Sequence, residues 1–135
     1  GGSVPEGFDI DSISWVTPRL GITDMEGSVE SVAAGYITIN VAGELDSPAQ
    51  VQRAVEPYYR VMETLDELAD LINGFLETQA PKVVVHCAMG IERSPLTVVW
   101  YLHRYQGLTL DEAYAVVREA RPVAVERRQW IEGVA

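Results

Sequence analysis

Between a short β-branched run, Lys82-Val83-Val84-Val85, and the pair Ser94-Pro95, the chain places His86-Cys87-Ala88-Met89-Gly90-Ile91-Glu92-Arg93, and this junction limits the fold more than any other segment. A valine run of that length reads as a strand buried on both faces, the environment of a central strand in a parallel sheet. Ser94 reads as a helix N-cap and Pro95 as the first helical residue. The residues between them then lie at the carboxyl end of a strand and the amino end of a helix, where backbone N–H groups and the helix dipole favour an anion. Strand, loop and helix in this order predict an α/β fold, a central and mostly parallel sheet flanked by helices, with the site at the strands' carboxyl ends.

The residues of the loop point to nucleophilic chemistry on a phosphate. A cysteine attacks only as thiolate, and Cys87, set among inward-pointing N–H groups at a helix start, is expected to ionise well below the free value of about 8.5. Arg93 supplies a planar fork that grips two phosphoryl oxygens, which lysine does less well. Gly90 lets the backbone turn inward. Ser94 is placed to hydrogen-bond the sulfur and ease its departure. The run Cys87, Ala88, Met89, Gly90, Ile91, Glu92 and Arg93 is therefore read as a phosphate-binding cup. A lone cysteine at the end of an apolar strand is by base rate a small buried hydrophobe. That plainer reading leaves the arginine, the glycine and the Ser-Pro helix start unexplained.

These residues resemble the signature of the cysteine-dependent protein phosphatases, specifically the small dual-specificity branch, in which His-Cys is followed by five residues and then Arg-Ser or Arg-Thr. Trp15-Val16-Thr17-Pro18-Arg19-Leu20-Gly21 is similar to that family's early strand, and Gly35-Tyr36-Ile37-Thr38-Ile39-Asn40-Val41-Ala42-Gly43-Glu44 to its central strand. Gly107-Leu108-Thr109-Leu110-Asp111-Glu112-Ala113 through Arg121-Pro122 is similar to its terminal helical segment. The resemblance implies one phosphatase-like domain over residues 1–135 and hydrolysis of a phosphomonoester through a phosphocysteine on Cys87. It implies that Arg93 binds the phosphate, that Ser94 assists breakdown of the intermediate, and that His86 orients the loop and tunes the thiolate. The substrate implied is phosphotyrosine, phosphoserine or phosphothreonine, or a mixture of these, on a protein partner. No cofactor is expected, because no histidine pair or Cys/His spacing suggests a metal and the cup's own donors carry the electrostatic work.

The same family protonates the leaving oxygen with an aspartate on a mobile loop about thirty residues before the cysteine. Here that count falls near Glu56, and no aspartate stands there. Asp46, in Gly43-Glu44-Leu45-Asp46-Ser47-Pro48, follows the expected parallel strand and so lies on the correct rim; it is the preferred acid. Glu56 has the better spacing but precedes Pro57 in a segment that reads as partly helical. Glu92, next to Arg93, is similar to the aspartate that myotubularin-type lipid phosphatases carry at that loop position, with an orienting salt bridge as its plainer role. Asp66 falls in a helical stripe and reads as a solvated face.

With 47% hydrophobic and 22% charged residues the chain is globular. Its net charge of −10 works against nucleic acid and anionic membranes as partners, although acidity also serves solubility. A single cysteine precludes an intrachain disulfide and fits a reducing compartment. With no long apolar run and no signal-like start, a cytoplasmic location is expected. Gly1-Gly2-Ser3 reads as a cloning scar and residues 1–12 as a loose lead-in.

The pattern further predicts a strand over Trp15–Ile22, a short helix over Ser28–Ala34 and a parallel strand over Tyr36–Ala42. A helical stripe runs through Val51, Val55, Tyr58, Met62, Leu65, Ala69, Ile72 and Leu76, opened by a capping box at Ser47-Pro48-Ala49-Gln50, with Pro57 as a kink or second beginning. Pro95–Tyr105 is a helix stopped near Gly107, Thr109 and Glu112 box the next, Pro122 ends it, and Val125–Ile131 forms a last short one. His103 sits where a helix dipole favours it. Two other classes stay open: a phosphate-recognition module that does not hydrolyse, and a phosphatase for a small-molecule, lipid or RNA phosphate. A rhodanese or arsenate-reductase loop fits Arg93-Ser94-Pro95 less well.

Overall fold

The computed structural model describes residues 5–78 and 82–133, so Gly1-Gly2-Ser3 lies outside the described residues. Among them, β1 (Ser14–Thr17), β2 (Leu20–Thr23), β3 (Ile37–Asn40), β4 (Val51–Gln52) and β5 (Val83–His86) form one sheet in the order β1-β2-β5-β3-β4. The helices are α1 (Met25–Ala33), α2 (Val61–Glu77), α3 (Arg93–Gln106) and α4 (Leu110–Ala120). The valine run is the middle strand, parallel to β2 on one side and to β3 on the other. Only β1 runs antiparallel, paired to β2.

All four residues of β5 are buried, as a central parallel strand requires. Successive side chains point to opposite faces. Val83 and Val85 join Leu20, Ile22 and Ile39 in a core closed by Leu65, Leu68 and Leu96 of α2 and α3. Val84 is in register with Thr38, whose hydroxyl lies 2.8 Å from that of Ser31 on α1. One helix therefore covers one face, and the main core lies on the other.

Several expected boundaries shift for physical reasons. Trp15–Ile22 is a tight hairpin rather than one strand, reversed at Pro18-Arg19. α1 begins earlier than expected because Asp24 caps it, accepting from the Gly27 N–H at 2.8 Å. The stripe from Val51 is helical only from Val61 onward. Its first part is β4 and a turn, because the apparent capping box is taken up elsewhere: Gln50 accepts the Thr38 N–H, and Gln52 accepts from the Asn40 amide, each at 2.8 Å. Local helix propensity is a weak signal, and these cross-strand bonds override it.

Asp66 is partly solvated, with 37% of its side chain exposed, but it also has partners. It accepts from Trp100 Nε1 at 2.7 Å and from Arg104 at 3.1 Å, joining α2 to α3. The amino end of α2 is capped from far along the chain, the Glu132 carboxylate accepting from the N–H groups of Val61 and Met62. Gly107 ends α3 in the left-handed region, and His103 Nδ1 donates to the Leu108 carbonyl at 2.7 Å beside it. The Thr109–Glu112 capping box is present at the start of α4. The last expected helix is only a 3-10 turn at Arg128–Trp130. No helix among the described residues is long and apolar enough to cross a membrane.

Leu68 is fully buried between helix and sheet, whereas Leu71 on the same helix is 36% exposed. Leu68→Ala is expected to cost about 2–5 kcal/mol in a denaturant titration. Leu71→Ala should stay within about 0.5 kcal/mol of the parent chain. Equal losses from the two would contradict the placement of the core.

Candidate active site

The loop that follows β5 is held from behind by its carbonyl groups. The Cys87 carbonyl accepts from His86 Nδ1 at 3.0 Å, Ala88 from the Met25 N–H at 3.1 Å, and Ile91 from the Val125 N–H at 2.8 Å. The Met89 and Gly90 carbonyls accept from the Arg121 guanidinium at 3.0 and 2.7 Å. In a trans peptide the N–H points opposite to the C=O. Five outward carbonyls therefore turn the N–H groups of residues 88–92 inward, toward a cavity of about 130 Å³ lined by Cys87, Ala88, Met89, Ile91, Glu92 and Arg93. Convergent N–H groups at a helix start form an anion site.

Gly90 occupies a position no other residue fits. Its φ is +68°, and a Cβ there would lie 2.6 Å from an Arg121 nitrogen and 2.7 Å from the Thr23 carbonyl oxygen. The glycine is needed both for the turn and for the close approach behind it.

Cys87 is buried, with its Sγ 3.2 Å from Ser94 Oγ. The helix begins at Arg93, so Ser94 is not the N-cap expected from the sequence. It lies in the first turn, where its hydroxyl is spent on the sulfur. His86 is fully buried, and loss of solvation holds its pKa below the ordinary value. Because a carbonyl only accepts, Nδ1 carries the proton toward Cys87 O. In the neutral ring Nε2 then accepts from the Ser47 hydroxyl at 2.7 Å.

Arg93 is gripped end-on by Glu44, which accepts from both terminal nitrogens at 2.7 Å. That geometry leaves the Nε edge of the guanidinium for a phosphoryl group. The pair holds the Glu44 carboxyl at about 2 and raises Arg93 further. Asp46 is exposed in the loop after β3, two residues beyond Glu44 and one before Ser47. Glu56 is exposed too, but not on a helix. It follows Val55, whose N–H bonds the Val41 carbonyl, and its charge acts on Arg93. Glu92 is engaged with Arg127 at 2.7 Å, the salt-bridge role considered for it. Among the described residues no group of three or more His, Cys, Asp or Glu side chains is gathered for a metal ion.

The site includes residues that the sequence did not assign. Glu44 stood in the central-strand motif without a role, and Ser47 was read as a helix cap. Arg121 stands in the sequence only beside Pro122 at the end of an expected helix. No local spacing ties any of the three to Cys87, and only the tertiary fold does so.

A cysteine at the floor of such a cup, with an arginine at its edge and a central parallel sheet below, defines the cysteine-dependent phosphatase fold. The crystal structure of human DUSP28 shares it, with a TM-score of 0.74 over 96% of this chain and 91% of that chain at 20% identity. The chain belongs to the dual specificity phosphatase catalytic domain family, whose profile matches residues 33–134. It is 29% identical over 101 residues to tyrosine-protein phosphatase MSG5 of Saccharomyces cerevisiae, covering 66% of this chain and 20% of that protein. It is 31% identical over 96 residues to dual specificity protein phosphatase 18 of Bos taurus, covering 71% of this chain and 47% of that protein. The match thus spans less than half of either relative.

Gly90→Ala is expected to weaken vanadate binding about tenfold or more, measured by titration of the folded variant. Wild-type affinity in that variant would show that the loop tolerates a side chain. The Glu44 pKa is depressed, so the ion pair is fully formed above the ordinary carboxyl range and is lost only as pH falls through about 2. Glu44→Gln should therefore lower oxyanion affinity by the same factor at mildly acidic and at neutral pH. A penalty that fades on going to mildly acidic conditions would contradict the depressed value.

Proposed function

We propose that the protein hydrolyses phosphomonoesters on phosphotyrosine, phosphoserine or phosphothreonine side chains of a protein substrate. The Cys87 thiolate attacks phosphorus, an S–P bond forms as the P–O bond to the leaving group breaks, and a carboxylic acid gives that oxygen its proton. Water then attacks the phosphocysteine, the same carboxylate takes the water's proton, and the sulfur leaves as thiolate while Ser94 donates a hydrogen bond to it. The loop N–H groups and the Nε edge of Arg93 follow the phosphoryl oxygens through both steps. The observation that carries the reading is the set of outward carbonyls, which leaves an anion cup around a cysteine. A reducing, cytoplasmic compartment is part of the same reading, since the thiolate must stay reduced.

Asp46 is our proton donor. Its support is the loop it sits on, tied to Arg93 through Glu44 and to His86 through Ser47 on either side. Glu56 is the second reading, favoured by its position at the carboxyl end of the β4 ladder and by its charge on Arg93. Glu92 is less suited because Arg127 already holds it.

Cys87→Ser should abolish turnover of an aryl phosphate while vanadate still binds. Turnover by that variant sinks the mechanism, and a wild-type chain that binds oxyanion without turnover leaves a phosphate-recognition module. Asp46→Asn should slow hydrolysis of phosphotyrosine far more than that of an activated aryl ester, because the proton matters most for a poor leaving group. If Glu56→Gln shows that difference and Asp46→Asn does not, the acid is Glu56.

A further inference from the structure

We propose that Arg121 is a positioning residue for the phosphate loop, and that the segment Phe8–Ser14 is the brace that sets where it holds the loop. The inference rests on the phosphatase reading. Arg121 ends α4 and is fully buried. A guanidinium has five N–H donors, and here five hydrogen bonds leave it. Two go to the nucleophile loop, from Nε to Gly90 O at 2.7 Å and from a terminal nitrogen to Met89 O at 3.0 Å. Three go to the segment before and at the start of β1: to Ile10 O at 2.8 Å, Ser12 O at 3.3 Å and Ser14 Oγ at 3.0 Å. The Phe8 ring lies 5.5 Å from the guanidinium carbon.

Residues 8–12 of the expected loose lead-in are therefore tied to the site. Thr23 Oγ1 of β2 anchors them further by donating to Ser12 O at 3.1 Å. Because the guanidinium is planar and rigid, its grip on Ile10, Ser12 and Ser14 fixes where its other edge can hold Met89 O and Gly90 O. Those two peptides carry the N–H groups of Gly90 and Ile91, which face the cup. A displacement of the brace is thus a displacement of two phosphate donors. The groups that face Arg121 are Asp24, Asp11, Asp9 and the Cys87 side chain, so the guanidinium also stands as a second cation behind the nucleophile. A group acting only as glue would lower the melting temperature of its variants and leave the thiol and the cup unchanged.

The test uses the full chain with Arg121→Lys, Arg121→Gln and Ser14→Ala, each checked for folding by circular dichroism. Lysine keeps the charge but not the fork. The pH midpoint of Cys87 alkylation should rise in both Arg121 variants, most in the glutamine one. Vanadate affinity should fall about tenfold in each, and kcat should fall by a larger factor than KM rises. Ser14→Ala removes one strut and should move the same readouts less. Folded Arg121 variants with the parental alkylation midpoint and vanadate affinity overturn the proposal, whatever their melting temperature. If neither Arg121 variant folds, hydrogen exchange on the unaltered chain decides. Vanadate in the cup should slow exchange in residues 8–14 as well as 88–91, and unchanged exchange in 8–14 overturns the proposal. A parent chain that takes no oxyanion and has an ordinary thiol removes the phosphatase reading, and this inference with it. A parent that binds while its variants match it removes this inference alone.

Discussion

The site depends on where five peptide carbonyls point. Cys87 through Ile91 form a loop whose oxygens are all engaged from behind, by a histidine ring, two backbone N–H groups and one guanidinium. A loop this short between strand and helix has no sheet or helix partner of its own for those oxygens, and a buried carbonyl left unpaired costs free energy comparable to a lost hydrogen bond. Each partner that satisfies one also fixes the direction of the opposing N–H. The order of strands matters for the same reason. β2 beside β5 brings Met25 to Ala88, and β3 on the other side brings the Glu44 and Ser47 loop to Arg93 and His86.

The electrostatics of the cup are balanced rather than simply positive. Arg93 has Glu44 on its terminal nitrogens and the field of Glu56 nearby, while Arg127 occupies Glu92. In a chain with twice as many acidic as basic residues, a loop that binds anions needs its few cations held in place. Arg93 is fixed by a carboxylate that stays ionised over the whole ordinary pH range, and Arg121 by five neutral acceptors. The first costs some positive charge at the site. The second costs desolvation of a buried cation, which the full set of hydrogen bonds offsets.

The central strand, the nucleophile loop and the helix after it were legible because their signals are local: a valine run, a glycine between cysteine and arginine, and a proline at a helix start. The Thr109–Glu112 box was legible for the same reason. What was not legible came from partners distant in sequence. Ser47-Pro48-Ala49-Gln50 has the letters of a helix start, yet Ser47 bonds His86 and Gln50 bonds β3, so the segment does not become helical. Ser94 has the letters of a cap and instead serves the sulfur. Asp66 sits on a helical stripe as a surface charge would, but Trp100 and Arg104 claim it. Glu44 and Arg121 lie 43 positions before Cys87 and 34 after it, and no spacing rule links residues that far apart.

The Arg121 contacts with Ile10, Ser12 and Ser14 span 111, 109 and 107 positions, nearly the length of the described chain. Contacts of such separation close late, since the entropy of bringing distant segments together is repaid only once the intervening structure exists. The guanidinium that holds the Met89 and Gly90 carbonyls is thus also a clasp between the two ends of the described chain. A change near the start of the described chain, far from Cys87 in sequence, is therefore only one side chain away from the nucleophile loop.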